Sequence, residues 1–141
     1  MSYNAILAPL VALVLWSFVM WVWLYATRLP AMFRARIKYD PNRPSGEFSA
    51  QLPPSVRWKA DNYNHLMEQP TLFYAVVLAL AVLGAGTGFN VTLAWLYVGL
   101  RIVHSFIQAL VNIVEWRFFV FSAASIVLLI LAIRLTIVVF A

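Results

Sequence analysis

Arg57, Asp61, Asn64, His65 and Glu68 lead directly into the apolar run "TLFYAVVLALAVL" from Thr71 to Leu83. Ionisable groups entering hydrocarbon are costly unless they face a polar interior, so they raise a functional question by their position alone. At about 100° per residue, with Asp61 as origin, Arg57 falls near −40°, Asn64 near −60°, His65 near +40° and Glu68 near −20°. They share one stripe of a helix. A second stripe follows in Arg101, His104, Ser105, Gln108 and Asn112, spaced i, i+3, i+4, i+7 and i+11. Arg28 and Arg117 stand at the ends of two further apolar stretches.

The elements that position these residues follow from composition. The chain has 141 residues, 64% hydrophobic and 11% charged, against roughly 25% charged in an ordinary soluble domain. This is the composition of a small integral membrane protein. The net charge of +5 does not describe a nucleic-acid surface, because Arg28, Arg34, Arg36, Lys38, Arg43, Arg57 and Lys59 crowd one interval. That crowding is a topology signal. The absence of cysteine excludes disulfides, thiolate metal sites and a cysteine nucleophile.

Four stretches are long enough to cross a hydrocarbon core of roughly 30 Å: about 4–27, 58–83, 90–113 and 117–140. The first is too long for a signal-peptide core and precedes rather than follows its basic residues, so it is expected to be retained. The segment 28–57 holds five of the seven prolines and reads as a cytoplasmic loop, with a short interfacial helix at 30–38. "GAGTGFN" and the region of Val114 to Trp116 are short turns. The expected fold is therefore all-α, an up-down four-transmembrane-helix bundle forming a single membrane domain over 1–141. With the basic loop in the cytoplasm, both termini face the other side. Arg134, in the outer part of the fourth span, is expected to snorkel outward or to pair across an oligomer interface.

In this topology both polar stripes reach the cytoplasmic half, while the outer halves are apolar. A polar pocket opening to the cytoplasm is the functional expectation. The bland alternative is that single polar residues such as Ser105 and Asn112 only join helices, and that Glu68 and Arg101 form a buried ordering pair. His65 and His104 read as hydrogen-bonded histidines, with no metal expected, because no carboxylate and third ligand share a recognisable spacing. Pro70 removes the amide that would bond to Leu66 and is expected to kink the second helix beside Glu68. The tryptophans read mainly as interface anchors and packing. No phosphate-binding glycine loop or nucleophile elbow is present.

These residues resemble a family, the membrane-associated proteins in eicosanoid and glutathione metabolism (MAPEG). The likeness covers nearly the whole chain. It is carried by "HLMEQPTLFY" (His65 to Tyr74), "RIVHS" (Arg101 to Ser105) and Arg117, whose spacing from Arg101 and His104 is similar to the microsomal prostaglandin E synthase branch. The resemblance implies a homotrimer, with glutathione as cosubstrate between subunits on the cytoplasmic side and a lipophilic substrate arriving from the bilayer. It implies Arg117 as the catalytic residue stabilising the thiolate, and glutathione contacts from Glu68, His65, Arg101, His104, Gln108 and Arg28, with Glu68 on the amino end. Glutathione's two carboxylates suit cationic partners, and an arginine beside its thiol enriches the nucleophile. The chain departs from the pattern at Asp61, Asn64, His65, Gln108 and Phe118.

The resulting expectation is a glutathione-dependent transferase or peroxidase acting on lipophilic electrophiles in a bacterial inner membrane, partnered by membrane lipids and not by nucleic acid. The alternative is a non-catalytic lipid-binding or scaffold protein of the same fold. A small transporter is a third class, disfavoured because no polar stripe continues through the outer half.

Overall fold

The computed structural model describes residues 4–44 and 46–141, which are almost wholly helical and contain no strand. Helix α1 runs from Leu7 to Ala35. The separate interfacial helix expected at 30–38 is absent: α1 continues through Pro30, and ends where Arg36 turns left-handed at φ 49°. A proline costs one intrahelical hydrogen bond, but the flanking Ala31, Met32, Arg34 and Ala35 are good helix formers and carry the helix past it. The Ile37 amide then closes on the Met32 carbonyl at 3.4 Å, sealing the terminus in the manner of a Schellman turn.

The loop holds a four-residue helix α2, Glu47–Ala50, and Arg43, which pairs with Asp40 at 3.7 Å and Glu47 at 4.0 Å. The second span is two helices, α3 over Pro54–Leu66 and α4 over Pro70–Val82. The break falls where Pro70 predicts it. Met67 and Glu68 bond back three residues, to Asn64 at 3.0 Å and His65 at 3.3 Å. The missing proline amide thus interrupts the ladder beside Glu68.

Helix α5, Phe89–Phe106, widens into a π-helical turn at Ile107–Val111. Asn112 stops it at φ 51°, its amide on the Ile107 carbonyl at 2.6 Å. Asparagine tolerates this left-handed geometry better than most side chains. The reversal therefore needs only Asn112 and Ile113, and α6 begins at Val114, three residues earlier than expected, running to Phe140.

Each of the four spans is long and apolar enough to cross a membrane, and the protein is integral to one. Sequence neighbours pack antiparallel, α1 with α3 and α5 with α6; the bundle closes by α1 against α5 and α4 against α6, which run in the same direction. Leu13, Leu66, Phe73, Leu80, Tyr97 and Leu131 fill the centre. Phe73 and Tyr97 stack at 4.5 Å between centroids, and Trp16 donates its indole N–H to Ser105 Oγ at 3.1 Å, tying α1 to α5. At the turn end, Gly84 and Gly88 take φ 71° and 60°, which glycine adopts without steric cost. Gly86 accepts the Ile6 amide at 3.1 Å, and a Cβ there would lie 2.6 Å from Ile6 Cγ2.

Within the protomer, Arg134 finds partners at the outer end of α5. Its Nε donates to Asn90 Oδ1 on α5, and its guanidinium lies 5.3 Å over the Phe89 ring. Facing helices put α6 against the first turn of α5, so the Asn90 amide is within reach of the half-buried guanidinium.

Candidate functional site

The stripe on α5 turns inward as its spacing predicts. Arg101, His104, Ser105 and Gln108 are all at least 96% buried. Arg101 donates through Nη2 to His65 Nδ1 at 2.8 Å and to the His65 carbonyl at 3.4 Å. Because guanidinium only donates, His65 accepts at Nδ1 and carries its ring proton on Nε2. The two imidazoles stack at 4.6 Å and 13°, and Phe121 of α6 sets its edge against His65 at 5.2 Å. Stacking aligns the rings face to face rather than aiming their nitrogens at a common point.

Arg117, in the first turns of α6, comes to the same place. The Asn112 side chain accepts from its Nη1 at 2.7 Å. Arg117, His65, His104, Val114, Phe118 and Phe121 line a cavity of about 180 Å³. The left-handed conformation of Asn112 both turns the chain and presents its amide to the guanidinium. Sequence reading placed Asn112 on the polar stripe but did not foresee this tether, which depends on a two-residue reversal.

The other expected residues separate from this cluster. Arg28 bonds Ser49 Oγ at 3.1 Å and lies 5.7 Å over Phe48. It lines a second cavity of about 240 Å³ with Arg57, Asp61 and Asn64. Glu68 is exposed on the outer face of the break, as Asp61 and Asn64 are on α3. Among the described residues the ion pairs are those of Arg43, so the buried Glu68–Arg101 pair does not form within the protomer. Most of the α3 stripe therefore faces outward; His65 at its edge reaches the interior, and Arg57 is half-buried with its Nε enclosed and unpartnered. Gln108 is buried and its Oε1 has no hydrogen-bond partner.

Several buried polar atoms are similarly unpartnered: Arg101 Nε and Nη1, His104 Nδ1, Arg117 Nε and both amide atoms of Asn62. Leaving such a group unsatisfied costs about 1–3 kcal/mol. These atoms concentrate toward the loop end of the bundle. Asn62 was missed as a buried site because it lies off the Asp61 stripe, on the face that also buries Leu66. Above the cluster, the Tyr97 hydroxyl donates to Gln69 Oε1 at 3.2 Å, Gln69 Nε2 to Ser125 Oγ at 2.8 Å, and Ser125 to the Phe121 carbonyl at 2.8 Å. This chain links the second, third and fourth spans just behind the stacked histidines.

The arrangement defines a class: a four-helix integral membrane protein with a cationic, histidine-containing cluster toward its loop end. The sequence pattern of the MAPEG family matches residues 6–137, and the chain belongs to that family. Its members are membrane proteins that often form trimers and include glutathione transferases and peroxidases. Comparison with curated proteins found no match, and comparison with solved structures found none.

Proposed function

We propose that this MAPEG protein is a glutathione-dependent transferase or peroxidase acting on lipophilic electrophiles, with Arg117 stabilising the thiolate. The observation that carries the reading is Arg117 itself, lining an aromatic-walled cavity with one guanidinium nitrogen fixed by Asn112 and Nε without a partner. The residues fit the cosubstrate. Its two carboxylates suit Arg28 and Arg57 in the neighbouring cavity, and its amino group suits the exposed Glu68. When bound, glutathione supplies the sulfur nucleophile that a cysteine-free chain lacks.

The chain's own part is to bind, orient and stabilise charge. Arg117 offsets negative charge at sulfur as the thiol proton is lost, an effect strengthened by exclusion of water. The imidazole of His65 is held in one tautomer by Arg101. In transfer, a sulfur–carbon bond forms, and the electrophile's bond to its leaving group breaks with the electron pair departing on that group. Phe118 and Phe121 supply an apolar wall for the electrophile.

A cavity of about 180 Å³ is small beside the roughly 300–1,000 Å³ of typical small-molecule sites. A homotrimer would supply the missing wall, and the exposed polar face of α3 on one protomer supports that assembly. We place the basic loop in the cytoplasm on its charge, and the protein in a bacterial inner membrane on its compact form. The second reading, non-catalytic lipid binding, is favoured by a different feature: a cavity of about 230 Å³ between the first and second spans, lined by Val14, Ser17, Phe18, Tyr63, Met67 and Tyr74.

Calorimetry of purified protein with glutathione separates the two. Binding is expected, together with thiolate absorbance near ~240 nm, which reports the ionised sulfur. Arg117→Leu should lower conjugation of a generic aryl halide by about two to three orders of magnitude, the scale of deleting one charge-stabilising donor. No glutathione heat and no thiolate signal in the unmodified protein would transfer the assignment to lipid binding.

A further inference from the structure

Arg134 is the one formally charged side chain in α6 beyond Arg117, and the five carboxylates of the chain, Asp40, Glu47, Asp61, Glu68 and Glu115, all precede it by at least 19 positions. None lies within ion-pair distance of it. Its protein partners, the Asn90 amide and the Phe89 ring, satisfy geometry without neutralising charge. The platform under it is nevertheless built. Asn90 is 4% exposed and is itself held, its Nδ2 donating to the Ala85 carbonyl at 2.8 Å. Held this way, Asn90 aims its oxygen at the guanidinium.

Depth adds a second argument. Arg134 is 17 residues along α6 from Arg117, about 26 Å at 1.5 Å per residue, which approaches the roughly 30 Å of a bilayer's hydrocarbon core. The two arginines therefore sit toward opposite membrane surfaces. Around Arg134 the helix is divided: Val127 and Leu131 are buried on one side, while Ile126, Ile130, Ile133 and Ile137 form an exposed stripe on the other, at 59%, 37%, 50% and 58%. Ile126, Ile130 and Ile133 continue from the guanidinium toward the bilayer middle.

We propose that Arg134, braced by Asn90 and Phe89, binds the phosphodiester of a membrane phospholipid in the leaflet at the turn end, with one acyl chain laid along the isoleucine stripe. Guanidinium matches phosphate oxygens in charge and fork geometry. The acyl track selects a lipid over free phosphate. This site is independent of the glutathione reading, because it lies across the membrane from Arg117.

The test is native mass spectrometry of detergent-purified full-length protein with added phosphatidylglycerol, phosphate-free diacylglycerol or inorganic phosphate. Phosphatidylglycerol should be retained. Arg134→Gln should weaken that retention by about five- to tenfold, the scale of one basic residue at an anionic surface, and Asn90→Ala should weaken it in part. Arg117→Leu should leave it unchanged. Ile130→Ser with Ile133→Ser should weaken lipid retention while Arg134 remains, which also covers an Arg134 variant that folds poorly. Equal retention by Arg134→Gln, equal retention of diacylglycerol, or equal capture of inorganic phosphate would each overturn the proposal.

Discussion

At the residue scale, the arrangement around Arg117 rests on one backbone angle. Asn112 occupies the left-handed region at φ 51° and accepts from Arg117 Nη1 at 2.7 Å. A substitution that keeps the turn but removes the amide isolates the tether. Asn112→Gly is suited to this, because glycine adopts the same angle without steric cost. If Arg117 stabilises the thiolate, Asn112→Gly should lower turnover by about one to two orders of magnitude with a smaller change in glutathione binding, since losing one hydrogen bond to a charged group costs about 1.5–3 kcal/mol. Asn112→Asp should keep the acceptor but partly neutralise the guanidinium, so the thiolate absorbance should fall further. Stopped-flow kinetics with parallel calorimetry would read both, and an unchanged turnover in Asn112→Gly would deny the tether a positioning role.

At the scale of elements, three spans are joined by one relay of neutral groups. Tyr97, Gln69 and Ser125 sit on α5, at the break between α3 and α4, and on α6. Gln69 is available to this relay because Pro70 interrupts the helix beside it and turns its side chain into the bundle. Gln69→Leu should strand the buried Tyr97 hydroxyl and destabilise the bundle by about 1–3 kcal/mol. Tyr97→Phe removes one donor at the edge of the relay and should cost less, about 0.6 kcal/mol on the average for interhelical bonds in membranes. Reversible unfolding in mixed micelles would compare them. A larger loss in Tyr97→Phe than in Gln69→Leu would refute the central place of Gln69.

At the scale of the whole molecule, the outward polar face of α3 and the placement of basic residues at one end both concern surroundings. The absence of cysteine makes single-cysteine labelling unambiguous. Asn42→Cys should react only from the cytoplasm and Thr87→Cys only from the opposite face. Reversed labelling would invert the orientation and place the Arg117 cavity on the other side. Asp61, Asn64 and Glu68 are exposed on a membrane span, where facing lipid would be costly. Mass measurement in mild detergent should therefore find three copies per particle, and a monodisperse monomer that still binds glutathione would remove the intersubunit site.

The sequence by itself determined the class of fold and the chemistry on offer. Four apolar stretches of sufficient length leave little alternative to helices in a bilayer, because each backbone polar group must be satisfied within its own segment. Periodicity likewise identified the buried face of α5 from Arg101 to Gln108, and Pro70 announced the break beside Glu68. What periodicity cannot supply is the azimuth of one helix against another. The α3 stripe was legible as a stripe, but whether it faced the bundle or its surroundings depended on which side α1 and the π-helical turn cover. The tertiary structure turned Asp61, Asn64 and Glu68 outward, buried Asn62, gave Arg101 to His65, and gave Arg134 to Asn90. These pairings join residues 36 and 44 positions apart, and they are decided by helix packing and by the two-residue reversal at Asn112, neither of which a local pattern of residue types encodes.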